Sequence, residues 1–519
     1  MKRIAITVIF LISIIILMAI NINAEIYGDW EYKINSDNLT ANIVKYNGSN
    51  TDVIIPSNIN GYKIIQIDER AFYYSKLKTI NIPNSIEIIK VYAFMYCENL
   101  SDIEIPSSVK TIEGGAFYGC NIESIFIPKT LETYSGAFSN KLKTVIIEDG
   151  TEIIPIGAFS SYTNLTNIFI PDSVTKIGER AFVACTSLKT MNLPNSIVEI
   201  GASAFYNCTN LTAITIPKSL KSYGNSSSGS AFAGSGLTTI LFEEGIETIP
   251  EFSFARCENL INVEIPDTVK TIGRWAFSEC EKLYSIIIPN SVENIGYQAF
   301  SYTNIETIKI PKTLKSYGEN YIVGINSQWG SAFYRSSLKY VVIEDGTEVI
   351  PNGAFAYCTS LVSIMLPDSI TKIGEQAFSE CTSLETIKLP QELKLIEKFA
   401  FYRCRNLKDI TLPYGIETIE NGTFLYCENL KKINIPKTLI SYSNAFENSG
   451  LVNVEFEDGV KSIPEEAFSL CVHLTDIKIP NSVETIGSYA FYWCENLEEI
   501  IIPKTLKSYG EYGIHNRNF

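Results

Sequence analysis

From Leu260 the chain reads Leu-Ile-Asn-Val-Glu-Ile-Pro-Asp-Thr-Val-Lys-Thr-Ile-Gly-Arg-Trp-Ala-Phe-Ser-Glu-Cys, and its apolar positions change period part-way along. Val263 and Ile265 alternate with outward residues. With Leu260 they predict a short strand that has one buried face. Pro266 ends the strand, because it cannot donate to a ladder. Val269 and Ile272 are expected to point back inward from a return segment. Gly273 is expected to allow the turn, Ala276 and Phe277 to fill the interior, and Cys280 to close the coil.

The same grammar runs along the chain. The pair Ala-Phe recurs from Phe72 to Phe491 in 19 copies, with Ser253 and Thr423 the only departures from Ala. Most copies lie 21 to 23 residues apart; the gaps after Phe205 and Phe300 are 27 and 33 residues and hold extra Gly, Ser and Asn. A lone unit of this length cannot bury its apolar set, whereas stacked units bury it against one another. The expectation is a β-rich solenoid: a horseshoe or arc of about 19 coils, with one continuous parallel concave sheet and short return segments, on the order of 90 Å long. A slower rhythm lies on top. Lys-Thr-Leu or a close variant followed by Ser-Tyr recurs at Leu131, Leu220, Leu314, Leu439 and Leu506. After the first four comes a short coil and then an acidic turn such as Glu148-Asp149-Gly150 in place of the strand-ending Pro.

The unit Leu260 to Cys280 resembles the leucine-rich repeats of the BspA-like, or Treponema pallidum-type, family, and the resemblance covers about residues 53 to 503. Residues 29–66 look like that family's N-terminal cap. The chain is therefore expected to divide into a leader (1–24), a cap (25–66), the array (67–503) and an incomplete repeat or tail (504–519). The resemblance implies a surface adhesin toward host matrix proteins such as fibronectin and fibrinogen, or a role in coaggregation between cells.

The ends and the charge narrow the setting. Lys2 and Arg3 precede an apolar run from Ile4 to Ile20, and a short polar stretch ends at Ala24, which reads as a signal peptide for secretion or surface display. An uncleaved N-terminal anchor stays open, since the run is slightly long. A formal net charge of −15 argues against nucleic acid and anionic membrane as partners. Self-association through the last coil is a structural alternative.

Little in the chain resembles a reaction centre. The only two histidines, His473 and His515, have no repeated partner, and no zinc, phosphate-loop or calcium-loop motif occurs. No cofactor or metal is expected, and no enzyme. A carbohydrate-active enzyme would need carboxylates stacked on neighbouring coils; the candidates Asp102 with Glu104, and Asp476 and Glu499, are interspersed with Lys and Thr. The 12 Cys each stand three residues after a repeat Phe, which reads as a ladder of buried thiols or as disulfides between adjacent coils.

A binding surface is what remains. Outward strand positions carry Phe126, Ile146 and Phe169 on successive coils, and a second group holds Tyr340, Val342, Val362 and Met365. Exposed apolar residues grouped this way mark candidate hot spots for a protein or glycan ligand; mutual support between neighbouring strands is the structural alternative. The insertion Gly318 to Gly330, with Tyr321, Ile322 and Trp329, is a candidate binding loop.

Overall fold

The computed structural model describes residues 24–225, 229–323 and 326–513. The leader expected at 1–24, apart from Ala24, and His515 lie outside the described residues. The chain divides into two compact units, Met1–Leu237 and Thr238–Phe519, and each is a parallel β-solenoid without a helix among its described residues.

The quoted unit shows why a coil forms. Leu260, Val269, Ile272, Ala276, Phe277 and Cys280 are wholly buried, and Val263 and Ile265 nearly so. The return strand Thr271–Ile272 pairs in parallel with Thr248–Ile249 and Asn294–Ile295. Phe277 stacks between Phe254 and Phe300, with ring centroids 5.6 and 5.4 Å away. Throughout the second unit the phenylalanines from Phe254 to Phe491 follow one another at 5.2 to 6.3 Å. The first unit holds two such runs, Phe72 to Phe138 and Phe159 to Phe232. Where these runs adjoin, the buried Tyr134 lies 5.5 Å from Phe159, and the Tyr162 hydroxyl accepts the Phe138 N–H at 2.9 Å. Tyr317 and Tyr442 likewise fill the interior beside Phe355 and Phe468, and Tyr223 is buried too, so the first four copies of the slower rhythm mark coils whose core is completed by a tyrosine; Tyr509 of the fifth is exposed.

The Ala-Phe segment is a third ladder. Trp275, Phe277 and Glu279 donate to the carbonyls of Tyr297, Ala299 and Ser301 on the next coil at 3.0, 2.8 and 2.9 Å. Aiming alternate N–H groups along the stack forces Trp275 and Glu279 into the left-handed region, at φ 51° and 59°. Each such residue costs about 1–2 kcal/mol. An orphaned buried N–H costs about 1–3 kcal/mol, so the bonded, strained turn is the better solution. The same pair of positions recurs as Arg70 and Tyr74, Gln376 and Glu380, and Glu466 and Leu470.

Two expectations need correction. Gly273 does not supply a left-handed turn; a side-chain carbon there would lie 2.5 Å from the Glu251 nitrogen and 2.6 Å from the Pro250 carbonyl carbon. Glycine is required because two coils approach too closely for a Cβ, and Gly178 and Gly487 meet their neighbours in the same way. Gly273→Ala is therefore expected to cost about 1–3 kcal/mol in a guanidinium titration, the range of an overpacked core; an unchanged midpoint would contradict the close approach. Nor is the main-face sheet unbroken. Its strands are two to four residues long, and the segments at 100–105 and 283–288 carry none. Ile103, Ile105, Ile286 and Ile288 are buried there all the same, so side-chain stacking rather than ladder bonding sets the coil.

At the N-terminal end Glu25–Tyr27, Trp30–Ile34 and Thr40–Tyr46 form an antiparallel meander, and Thr40–Tyr46 then pairs in parallel with Tyr62–Ile67. Trp30 and Tyr46 cover the Phe72 ring at 6.1 and 5.6 Å.

All 12 cysteines are buried thiols, and none is joined in a disulfide. Each thiol with a resolved partner faces the preceding coil's Phe: Cys97 donates to the Phe72 carbonyl at 3.1 Å, and Cys404 to the Phe378 carbonyl at 3.1 Å. Where Ser336 or Thr303 replaces Cys, its hydroxyl caps the Phe carbonyl of its own coil at 2.8 Å. The repeat cysteine is thus a small apolar group with one weak donor.

Candidate binding surface

The strand Ser124–Ile127 buries Ile125 and Ile127, and its two-residue period sends Phe126 outward. Parallel pairing sets Phe126 opposite Ile146 and Ile146 opposite Phe169. The three are 49%, 40% and 60% exposed, a run of apolar side chains across three strands. The row on one side of them, Ser124, Thr144 and Asn167, is uncharged, and on the other side Glu148 stands two residues beyond Ile146 with its carboxylate on the Lys129 N–H. Lys143 and Glu123, each next to a residue of that uncharged row, form an ion pair at 2.7 Å.

In the second unit, Val342 stands opposite Met365, and Tyr340 lies two residues back on the same strand. All three are exposed. Val362 is half-buried and precedes its strand, where its N–H donates to the Lys339 carbonyl at 2.9 Å. Sequence reasoning passed over two exposed residues two coils earlier, Tyr284 and Ile287, with Lys309 standing between them and Val342. The run Ile286-Ile287-Ile288 carried the signal, since three consecutive residues of a strand cannot share one buried face. Ile287 borders a cavity of about 460 Å³ lined also by Asp267, Pro289, Lys309, Pro311 and Glu344. Glu344 shapes its wall. Its carboxylate accepts the Lys312 N–H at 3.1 Å and pairs with Lys309 at 3.0 Å, and these bonds hold it below the usual carboxylate range. Glu148 and Glu457 bind the Lys129 and Lys437 N–H groups in the same manner, which explains why an acidic turn stands in for proline.

The insertion is an antiparallel hairpin, Gly318–Val323 with Asn326–Ser331. Tyr321 faces Gln328 and Ile322 faces Ser327 across the backbone, while Asn320 faces Trp329; the side chains of Tyr321, Ile322 and Trp329 lie outside the described residues.

Asp476 and Glu499 hold the same offset on the adjacent coils of Phe468 and Phe491, and Asp102 and Glu104 lie two residues apart on one segment, with no further carboxylate of the four beside either pair. Asp476 sits opposite Asn453, and Lys478 opposite Glu455. His473 is exposed in the turn after Cys471. Among the described residues no group of three or more His, Cys, Asp or Glu is placed to hold a metal, and no helix is long and apolar enough to cross a membrane.

No curated protein matches the chain. Among solved structures it is similar to a leucine-rich repeat protein from Bacteroides ovatus, at 27% identity over 84% of this chain and 100% of that one, with a TM-score of 0.53. It is also similar to a leucine rich cell surface protein from Faecalibacterium prausnitzii, at 25% identity over 88% of this chain and 94% of that one, with a TM-score of 0.32. For the leucine rich repeat protein of T. pallidum the identity is 19%, over 50% of this chain and 91% of that one, with a TM-score of 0.22. The BspA type leucine rich repeat region matches in six copies, over residues 65–161, 134–228, 228–327, 330–449 and 440–518, and with its ladders of Phe and Cys the chain belongs to that family.

Proposed function

We propose that this chain is an exported binding protein that works at a cell surface and holds a protein or glycan ligand on the outward face of its main strands. The observation that carries this reading is the exposed, in-register group Phe126, Ile146 and Phe169. Aromatic and aliphatic side chains gathered without charge are what a desolvated interface core needs. The second group around Val342 and Met365, with its adjoining cavity, offers the same chemistry. Export rests on the charged, then apolar, leader. The surface setting draws support from the family and from the name of the F. prausnitzii relative. Within the family, host matrix proteins are the ligands to try first.

The test is a surface-resonance screen of the chain against matrix proteins and polysaccharides. For any ligand of the first group, Phe126→Asp with Phe169→Asp is expected to weaken binding at least about tenfold, the scale of a hot-spot loss. Circular dichroism should stay unchanged, since both side chains point to solvent. An unaltered affinity would move the ligand elsewhere.

A further inference from the structure

The edge of the first unit that carries the left-handed turns holds a cluster the proposed function does not use. Tyr73, Tyr74 and Tyr118 are 43%, 60% and 49% exposed, and Tyr96 is half-buried between them. Their rings touch in sequence: Tyr73 to Tyr74 at 4.5 Å, Tyr74 to Tyr96 at 4.7 Å, Tyr96 to Tyr118 at 5.7 Å. The floor is built to suit them. Tyr96 lies over Gly119, where any side-chain carbon would fall 2.5 Å from its ring. Arg70 flanks the cluster over Tyr73, and its charge is taken up by Glu69 at 2.8 Å. Two charges without an ion pair lie beyond the rings, Glu98 and Lys141; Lys141 donates to the Asn121 side chain, whose amide donates to the Glu98 carbonyl, so the Glu98 carboxylate is the acid on the rim. Glu98 is exposed, makes no ion pair among the described residues, and lies near enough for its field to act on the Tyr74 hydroxyl.

Three properties narrow the occupant. The rings expose apolar faces with hydroxyl donors attached, which suits a partner with apolar bulk and unpaired acceptors. A polyproline II segment has both, because its backbone carbonyls are fully solvated, and it binds with little loss of entropy. Its period also fits, since one turn of three residues advances about 9 Å and two coils advance about 10 Å, the separation of the turns bearing Tyr74 and Tyr118. Finally, the acid on the rim of a chain with net charge −15 favours a basic residue in the ligand.

We propose that the strip from Tyr73 to Tyr118 docks an extended proline-rich peptide segment that runs from coil to coil and places a basic side chain at Glu98. It is separate from the main-face site and independent of it.

Fluorescence polarisation of the full chain tests this with three labelled probes: decaproline, decaproline ending in arginine, and the arginine peptide with alanine in place of proline. Saturable binding of both proline peptides is expected, tighter for the one with arginine, and none of the alanine peptide. Tyr74→Ala and Tyr118→Ala should each weaken both proline peptides about tenfold. Glu98→Gln should weaken only the arginine-bearing probe, about three- to fivefold. Tyr206→Ala, further along the same edge, should change nothing. Should an alanine variant lose its far-ultraviolet dichroism, Glu98→Gln and the comparison of probes decide. No saturation at millimolar peptide, equal binding of the alanine peptide, or displacement of the probe by a neutral oligosaccharide such as cellohexaose at lower concentration would each overturn the proposal.

Discussion

Raised from pH 8 to pH 11 under reductant, the chain is expected to lose the β dichroism of its second unit in a steep transition, with most of the change between about pH 9 and pH 10.5. The cause is the thiol ladder. Burial pushes Cys208, Cys358 and Cys471 up to about 12 from an ordinary value of 9.0. It raises Cys185, Cys280, Cys381, Cys404, Cys427 and Cys494 as well. Above pH 9 an unfolded chain releases these protons and the folded chain keeps them. The folded state then binds more protons than the unfolded one, so stability falls as pH rises. At pH 10 each such thiol favours the unfolded state by on the order of 1 kcal/mol, and the seven that lie in the second unit, Cys280 to Cys494, together come to roughly 7–10 kcal/mol. That matches the whole stability of an ordinary domain, about 5–15 kcal/mol. The buried Tyr317 and Tyr442 phenols, also raised by burial, add to the loss above their usual range. Far-ultraviolet dichroism against pH, without oxygen, reads the transition. An unchanged spectrum through pH 11 would mean that the stacking outweighs the whole cost of keeping these thiols protonated, and the prediction would fail. At neutral pH a thiol reagent should find close to none of the 12 cysteines before denaturant is added and close to all of them after it.

The spacing of Phe and Cys made the coil legible, because both are wholly buried and their 23-residue return is imposed by stacking. Period-two alternation placed Phe126, Ile146 and Phe169 outward, and the parallel register sets them side by side. The turns were harder to see. Left-handed backbone is usually marked by glycine, but here Trp275, Glu279, Tyr74 and Leu470 take it up under the demand of bonds to the next coil. That demand is tertiary and leaves no local signature. Gly273 misled in the opposite direction: its value lies in the missing Cβ, and nothing within its own coil says so. Val362 carries an outward-facing residue type, yet its place before the strand leaves it half-buried. Ile287 was within reach, but its neighbours carry no ladder, and a search along strand positions steps past it.

Removing one ring from the interior column is expected to have the largest effect of any single substitution. Phe378 is wholly buried between Phe355 and Phe401, at 5.6 and 5.2 Å and nearly parallel to both. Phe378→Ala forfeits the transfer of the ring and leaves a cavity that two rigid neighbours cannot close, a loss of about 3–5 kcal/mol. The backbone bond from Phe378 N–H to the Ala400 carbonyl, 2.7 Å, does not need the side chain, so the turn itself should survive. In a stacked array each coil leans only on its neighbours. The loss should therefore appear as early hydrogen exchange around Phe355, Phe378 and Phe401, while the first unit's coils near Phe94 and Phe117 keep their protection. Denaturant titration followed by exchange mass spectrometry separates the two quantities. A cost below about 1 kcal/mol would place the stability of the coil outside its aromatic column. Uniform loss of protection in both units would mean that the array unfolds as one cooperative body, contrary to nearest-neighbour stacking.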